Sequence, residues 1–197
     1  FATAAREIET PHLDRFARQA TIFERAYIGS YPTVPNRKDI FLGKMRPWNV
    51  WSPLDKNAAT LPGLLREKKG YLCQMIQDTP HTLNKGFDFR RDFHGWEQIR
   101  GQETDCLNPR LAPQPGDPAK SRPGTNWSQH LANIEITRRA EQDCYCAQTM
   151  TRAARWLERN YKTGPFFLYL DTFDPHEPWD APRWYEDYYD PGYERSE

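Results

Sequence analysis

"PFFLYLDTFDPHEPW", residues 165–179, begins as an unbroken apolar run and ends among prolines and polar side chains. An apolar run without alternation is typical of a strand that is buried on both faces of a parallel sheet. A second strand of this buried type is predicted at "YLCQMIQ", residues 71–77, and an alternating strand at "TIFERAYIG", residues 21–29. Because helical patterns alternate with these strands, the sequence predicts an α/β fold with helices on both faces of the sheet.

Capping signals and helical spacing predict four helices. Thr10 and Pro11 begin the first, Thr60 and Gly70 bound the third, and Gly164 follows the last and longest. The predicted helices are residues 11–20, 36–44, 61–70 and about 126–161. Residues 83–105 have no clean period and predict a long ordered loop, and the proline-rich residues 108–126 predict an exposed connection.

The composition describes a single domain that has no charge bias. The chain has 197 residues, 38% of them hydrophobic, with 27 basic and 27 acidic side chains, so we expect neither a nucleic-acid nor a membrane partner. Its four cysteines lack metal-ligand spacing and are predicted to be free thiols. A start at Phe1 and an end at Glu197 predict a fragment, which leaves the oligomeric state and the compartment, cytoplasmic or secreted, open.

Polar residues follow each predicted strand. Residues 33–37 follow the first, residues 78–81 the second and residues 174–176 the last. The carboxyl ends of strands in an α/β sheet lie along one edge, where binding sites form. We therefore expect these three segments to converge on a site for an anionic ester.

Thr33, Arg37 and His176 are the first candidates for the chemistry of such a site. A threonine hydroxyl is a weak nucleophile, and helix N-terminal amides together with Arg37 would stabilise its alkoxide and bind the anion. His176 lies between two prolines, which suits a rigidly held general acid. The alternative for Thr33 is a simple helix cap.

His81, Asp78 and Lys85 are the second group of candidates. His81 could act in catalysis or be a structural loop histidine. Asp78 is a candidate substrate-binding residue and could also orient the His81 ring or bind a cation. Lys85 could add positive charge to the rim of the site, although a solvated surface explains such a lysine equally well.

Three stretches resemble one known family. "TPHLDRFARQATIFERAYIGSYPTVPNR", residues 10–37, followed by "DIFLGK", residues 39–44, resembles the opening of the sulfatase family in the alkaline-phosphatase superfamily. "PFFLYLDTFDPHEPW" resembles a later strand of that family, and "GWEQIRGQETD", residues 95–105, is similar to one bacterial branch. The resemblance implies a partial three-layer α/β/α sandwich, with residues 1–197 as the N-terminal part of a catalytic domain truncated at both ends.

The resemblance also implies roles for the candidates. Thr33 occupies the nucleophile position of the C/S-x-P-x-R signature, and Arg37 matches the arginine that holds the nucleophile and the anion. His176 matches the histidine that contacts the sulfate and assists the leaving group. His81, with Asp78 near it, falls where the family carries a K-x-H pair, but the lysine is missing here.

Thr33 departs from the family in a way that affects the reaction. Sulfatases oxidise a cysteine or serine to formylglycine, whereas oxidation of threonine would give a ketone, so formylglycine is not expected at Thr33. A threonine sulfate would be a dead end, but water can attack a threonine phosphate at phosphorus, as in the related nucleotide pyrophosphatases and phosphodiesterases.

The resemblance therefore predicts an arylsulfatase-like hydrolase acting on sulfate or phosphate esters of small molecules or glycans. The alternatives are a threonine-dependent phosphodiesterase or phosphatase, and an inactive homologue that binds anionic ligands. The implied cofactor is a divalent metal, Ca²⁺ in a sulfatase and Mn²⁺ or Zn²⁺ in a phosphoesterase. Its family ligands match no residue of this chain, so we expect the fragment alone to bind metal poorly and to be inactive.

Overall fold

The computed structural model describes residues 8–45, 50–83, 86–109 and 127–192. Contacts divide these residues into a smaller unit, residues 8–28 with 180–192, and a larger unit, residues 29–179. The predicted proline-rich connection lies mostly outside the described residues, as does Lys85. No helix in the described ranges is both long and apolar enough to cross a bilayer.

The smaller unit contains helices α1 (Pro11–Ala17) and α6 (Arg183–Tyr189). The α1 prediction is confirmed, with proline in the first turn, where the missing N–H costs nothing. The hydroxyl of Tyr189 accepts a hydrogen bond from the Glu9 N–H at 3.0 Å, which ties the two ends of this unit together.

The strand predicted at residues 21–29 is wrong, because these residues form no regular element. Ile22 and Ile28, which the alternation placed on a buried face, are 52% and 61% exposed. A strand needs a neighbour to receive its backbone hydrogen bonds, and no described segment pairs with this one.

A parallel three-stranded sheet forms the centre of the larger unit, which confirms the α/β prediction. Its strands are β1 (Leu72–Gln77), β2 (Gly95–Gln98) and β3 (Phe166–Asp171), in the order β2-β1-β3. Met75 of the central strand lies opposite Trp96 on one side and Tyr169 on the other. The strand predicted at residues 71–77 and the one predicted from the apolar run that begins at residue 165 are thus confirmed.

Buried clusters on both faces of the sheet give the fold its layers. One cluster joins Met75 to α2 (Thr33–Leu42) through Phe41, and further members come from the loop after β1. The other joins Ile76 to α5 (Tyr145–Asn160) through Ala153. Neighbouring residues of β1 therefore point into opposite clusters, which is why the strand is apolar without alternation.

Helix α3 (Leu61–Lys69) is bounded as predicted. The Thr60 hydroxyl accepts a hydrogen bond from the Gly63 N–H at 3.2 Å. Gly70 ends the helix with φ of 67°, a left-handed conformation that glycine adopts without strain. All four cysteines are free, which confirms the thiol prediction.

Two predictions within the larger unit need correction. The segment predicted as a loop contains β2, whose four residues are too few to show a period. The single helix predicted over residues 126–161 is divided into α4 (Ser128–Thr137), a 3₁₀ turn (Glu141–Asp143) and α5. The carboxylate of Asp143 accepts hydrogen bonds from the Arg139 and Ala140 N–H groups, both at 2.9 Å, and so starts a new turn where the pattern predicted continuity.

Candidate active site

Thr33 is the first residue of α2, and Arg37 lies one turn further along the helix. The predicted helix began at Asn36, whereas the observed helix begins three residues earlier and so includes Thr33 and its hydroxyl. Buried Val34 and Pro35 anchor this turn in the core, while Thr33 remains partly exposed. Pro35 has no N–H and the Asn36 N–H bonds the Pro32 carbonyl at 3.1 Å, so at most the first two amides of α2 can face an anion.

Arg37 joins the start of α2 to the end of β3. Its Nε and Nη2 atoms donate hydrogen bonds to Oδ2 and Oδ1 of Asp171, both at 2.5 Å, and its Nη1 donates to the Thr33 carbonyl oxygen at 3.2 Å. Burial lowers the pKa of Arg37, but the hydrogen bond and charge of Asp171 outweigh it, and the pKa is raised. The guanidinium is therefore charged and held in one orientation.

Asp171 is saturated with donors. In addition to the two bonds from Arg37, Oδ1 accepts a bond from the Thr79 hydroxyl at 2.9 Å and Oδ2 one from the Tyr169 hydroxyl at 3.0 Å. A carboxylate has about four lone-pair sites, and all four are engaged here. Burial and the charge of Asp171 raise the pKa of Tyr169, so its phenol keeps the proton that it donates.

Asp78 is fully buried and fixes the chain that follows β3. Its Oδ1 accepts a hydrogen bond from the Phe173 N–H at 2.6 Å, and its Oδ2 accepts one from the Thr149 hydroxyl at 2.8 Å. Burial raises the pKa of Asp78 to about 6, against the opposing effect of these bonds. The hypothesis that Asp78 orients the His81 ring needs correction, because Glu103 pairs with that ring instead.

His81 lies in a cage of aromatic and acidic groups. Its Nε2 is 2.7 Å from Oε2 of Glu103, and its ring lies 5.2 Å from Trp51 and 5.4 Å from Phe173, both edge to face. Neither Glu103 nor Trp51 was singled out in the sequence.

His176 stacks on Phe173, the ring that His81 also contacts. The His176 and Phe173 rings are 4.1 Å apart and inclined by 21°. Nδ1 of His176 is 3.0 Å from the Glu177 carbonyl oxygen and 3.3 Å from Oε2 of Glu177. About a third of the His176 side chain is exposed, at 34%, so this ring can reach a ligand.

The candidates thus fall into two connected groups. One contains Thr33, Arg37 and Asp171, and the other brings His81 and His176 together around Phe173. The groups are linked along the chain, because Asp171 is two residues from Phe173 and its partner Thr79 is two residues from His81. Within the described ranges no hydrogen bond or ring contact joins Thr33 directly to either histidine.

Sequence reasoning missed Asp171, Thr79 and Glu103. A carboxylate that ends an otherwise apolar buried strand was a usable signal for Asp171. Thr79 and Glu103 gave no such signal, because a threonine in a turn and a glutamate in an aperiodic segment are common surface residues.

The described side chains do not fit a divalent metal. Among them no group of three or more His, Cys, Asp or Glu residues is arranged to hold an ion. Asp171 accepts four hydrogen bonds from protein donors, and Asp78 is fully buried and holds the Phe173 N–H and the Thr149 hydroxyl.

Thr33 and a charged, fixed Arg37 thus lie at the start of a helix that packs against a parallel α/β sheet. The sequence model of the family described as Sulfatase matches residues 3–197, so the chain belongs to the sulfatase family. Members of this family hydrolyse sulfate esters and generally use a divalent metal. A comparison with curated proteins gave no match.

Proposed function

We propose that the larger unit carries part of the active site of a sulfatase-family hydrolase in which Thr33 is the nucleophile. Its substrates are sulfate or phosphate esters of small molecules or glycans. The observation that supports this proposal is the position of Thr33 on the first turn of α2, where its carbonyl oxygen accepts a hydrogen bond from a guanidinium that Asp171 holds in place.

In the first half of the reaction, the Thr33 oxygen bonds to phosphorus or sulfur while the bond to the alcohol oxygen breaks. Arg37 binds the non-bridging oxygens through N–H groups that Asp171 leaves unused. His176 gives a proton to the departing oxygen. The hydroxyl proton of Thr33 passes to water and His176 regains a proton from water, so the products are a Thr33 ester and a free alcohol.

The second half of the reaction favours a phosphate ester over a sulfate ester. Water attacks the Thr33 phosphate, the bond from phosphorus to the Thr33 oxygen breaks, and the hydroxyl regains its proton. A Thr33 sulfate lacks the second hydroxyl by which a formylglycine hydrate expels sulfate, so it would persist. Phosphoester cleavage is therefore the activity that Thr33 supports best within this family.

Residues around the histidines take supporting roles in this proposal. His81 is held by Glu103 and assists in binding the ester, and Asp78 keeps the segment after β3 in place rather than contacting substrate. Lys85 remains a proposed substrate-binding residue outside the described ranges. A divalent metal belongs to the proposal only as a family property, and no step here depends on it because the described residues do not fit one.

The test is hydrolysis of an aryl sulfate, an aryl phosphate and an aryl phosphodiester by the full-length protein with Ca²⁺, Mn²⁺ or Zn²⁺. Thr33→Ala should lower any observed turnover by at least about a hundredfold, and Thr33→Ser should retain part of it. Thr21→Ala, at an exposed threonine, is the matched control and should change nothing. Full turnover in Thr33→Ala would refute the role of Thr33.

A second candidate function is an inactive homologue that binds anionic ligands. It is favoured by the pairing of Arg37 with Asp171, which offsets the positive charge that a catalytic anion site uses. Two observations together would support this candidate. The first is binding of the three esters without turnover. The second is a gain of sulfatase activity in Thr33→Cys after its cysteine has been converted to formylglycine.

A further inference from the structure

Gln102 is a buried polar residue beside the segment that carries His176. It lies in the loop of residues 101–105, and only 3% of its surface is exposed. Its Nε2 donates a hydrogen bond to Oδ1 of Asp174 at 2.9 Å. Because Asp174 is two residues before His176, this bond ties the loop to the turn that presents the histidine.

The loop itself is held in one conformation by helix α4. Nδ2 of the fully buried Asn133 donates hydrogen bonds to the carbonyl oxygens of Gly101 at 2.8 Å and Asp105 at 2.7 Å. Nδ1 of the buried His130 accepts a bond from the Glu103 N–H at 2.9 Å. Glu103 has a φ of 51°, a left-handed conformation that few residues other than glycine adopt. Such a conformation persists only where its surroundings hold it, so the loop is a rigid support.

The turn that carries His176 is fixed by groups from distant parts of the chain. Asp174 accepts hydrogen bonds from Gln102 and from the Cys146 thiol, and burial together with this carboxylate raises the pKa of the thiol to about 12. The preceding residue, Phe173, donates its N–H to a buried aspartate at 2.6 Å. The His176 ring stacks on Phe173 at 4.1 Å, so its position depends on both of these attachments.

We propose that Gln102 is a positioning residue for His176 and acts through Asp174. With the amide in place, the His176 ring is held where it can give its proton to the departing ester oxygen. Without it, Asp174 loses a donor, the turn relaxes and the distance from the ring to that oxygen is no longer fixed. Gln102 itself contacts neither the ester nor the proton. This inference rests on the proposed function in taking His176 as the proton donor.

The first experiment measures kcat/KM of the full-length protein for a phenyl ester and a para-nitrophenyl ester of the acid, phosphoric or sulfuric, whose esters it cleaves. Nitrophenolate is a stable anion that leaves without a proton, whereas the more basic phenolate needs one. Gln102→Met keeps the length of the side chain and removes the donor. It should lower kcat/KM about thirtyfold for the phenyl ester and about threefold for the nitrophenyl ester. Equal losses for the two esters, or none, would overturn the inference.

An exchange of donor and acceptor tests the bond between Gln102 and Asp174 directly. Gln102→Glu alone sets two carboxylates against each other and should resemble Gln102→Met. Combined with Asp174→Asn it restores a hydrogen bond of reversed direction, and the ratio of the two kcat/KM values should return to within about threefold of wild type. A ratio that stays as low as in Gln102→Met would overturn the inference. Gln148→Met is the matched control and should leave the ratio unchanged, because Gln148 also donates through its amide, to the Asp143 carbonyl oxygen at 2.8 Å.

A second measurement needs no turnover. Because the His176 ring stacks on Phe173, the ring current of the phenylalanine displaces the NMR signals of the His176 ring hydrogens. In Gln102→Met these signals, assigned by their loss in His176→Asn, should move to the positions of a solvent-exposed histidine, and in Gln148→Met they should stay. Should Gln102→Met not fold, Gln102→Asn, which withdraws the amide by one CH₂ group, takes its place. Signals that do not move would overturn the inference, whereas turnover that survives Thr33→Ala would refute the proposed function without affecting them.

Discussion

Asp78 allows a quantitative prediction, because it is a fully buried carboxyl whose pKa is raised from 3.8 to about 6. The folded state therefore holds the Asp78 proton more tightly than the unfolded chain does between these two pH values. The free energy of unfolding that Asp78 contributes falls as the pH rises through this window. At 1.36 kcal/mol per pH unit, the loss amounts to about 3 kcal/mol above pH 6.

Asp78→Asn removes this ionisation and keeps the hydrogen bonds. The amide oxygen can still accept the Phe173 N–H, and the Thr149 hydroxyl can turn to accept a bond from the new amide group. The variant should therefore match the wild type at pH 4 and be about 1–3 kcal/mol more stable at pH 7.5. The difference between the two curves should develop between pH 4 and pH 6.

The assay is urea unfolding followed by tryptophan fluorescence at intervals from pH 4 to pH 8. Subtracting the wild-type curve from that of the variant cancels the titration of all other groups that the substitution leaves alone. Asp190→Asn, at an exposed carboxylate, is the control and should give a flat difference. Two results would refute the argument. One is a stability difference between Asp78→Asn and the wild type that does not change with pH, and the other is a difference that favours the wild type more at pH 7.5 than at pH 4.

Two further substitutions test the contacts around the candidate site by urea unfolding. Arg37→Ala leaves the buried Asp171 without its countercharge and should lower the free energy of unfolding by about 3–5 kcal/mol. Arg37→Met combined with Asp171→Asn should recover more than half of that loss. Additive losses would contradict the pairing. Phe173→Ala removes the ring between His81 and His176 and should lower the free energy of unfolding by about 3 kcal/mol. The control Phe16→Ala, at a 70% exposed position, should lower it by less than about 0.5 kcal/mol. Equal losses would show that the Phe173 ring adds no packing energy.

The sequence predicts those elements whose pattern comes from burial alone. No residue of β1 or β3 is fully exposed, and β1 is mostly buried, so the apolar composition of these strands is visible without neighbours. Strand β2 has four residues and leaves Trp96 44% exposed, so it is defined only by pairing with β1. Conversely, residues 21–29 have the alternation of a strand but pair with no segment in the described part of the chain, so period without pairing does not make a strand here.

The candidate site divides in the same way. Thr33 and Arg37 lie in one short motif, so their common position on a helix turn could be read from spacing. Asp171 is 134 residues from Arg37 and is brought to it by the parallel sheet, which spacing alone does not reveal. The partner of His81 was missed for the same reason. Asp78 is close to His81 along the chain, whereas Glu103 is brought to His81 only by the fold.

The proposed role of Thr33 restricts the reaction that this site can complete. With Thr33 as the nucleophile, a sulfate ester would stop at the Thr33 sulfate, because this ester lacks the second hydroxyl by which a formylglycine hydrate expels sulfate. Water can attack a Thr33 phosphate at phosphorus, so a phosphate ester would pass through both halves of the reaction. On this proposal, Thr33 therefore favours phosphorus over sulfur as the centre that the site cleaves.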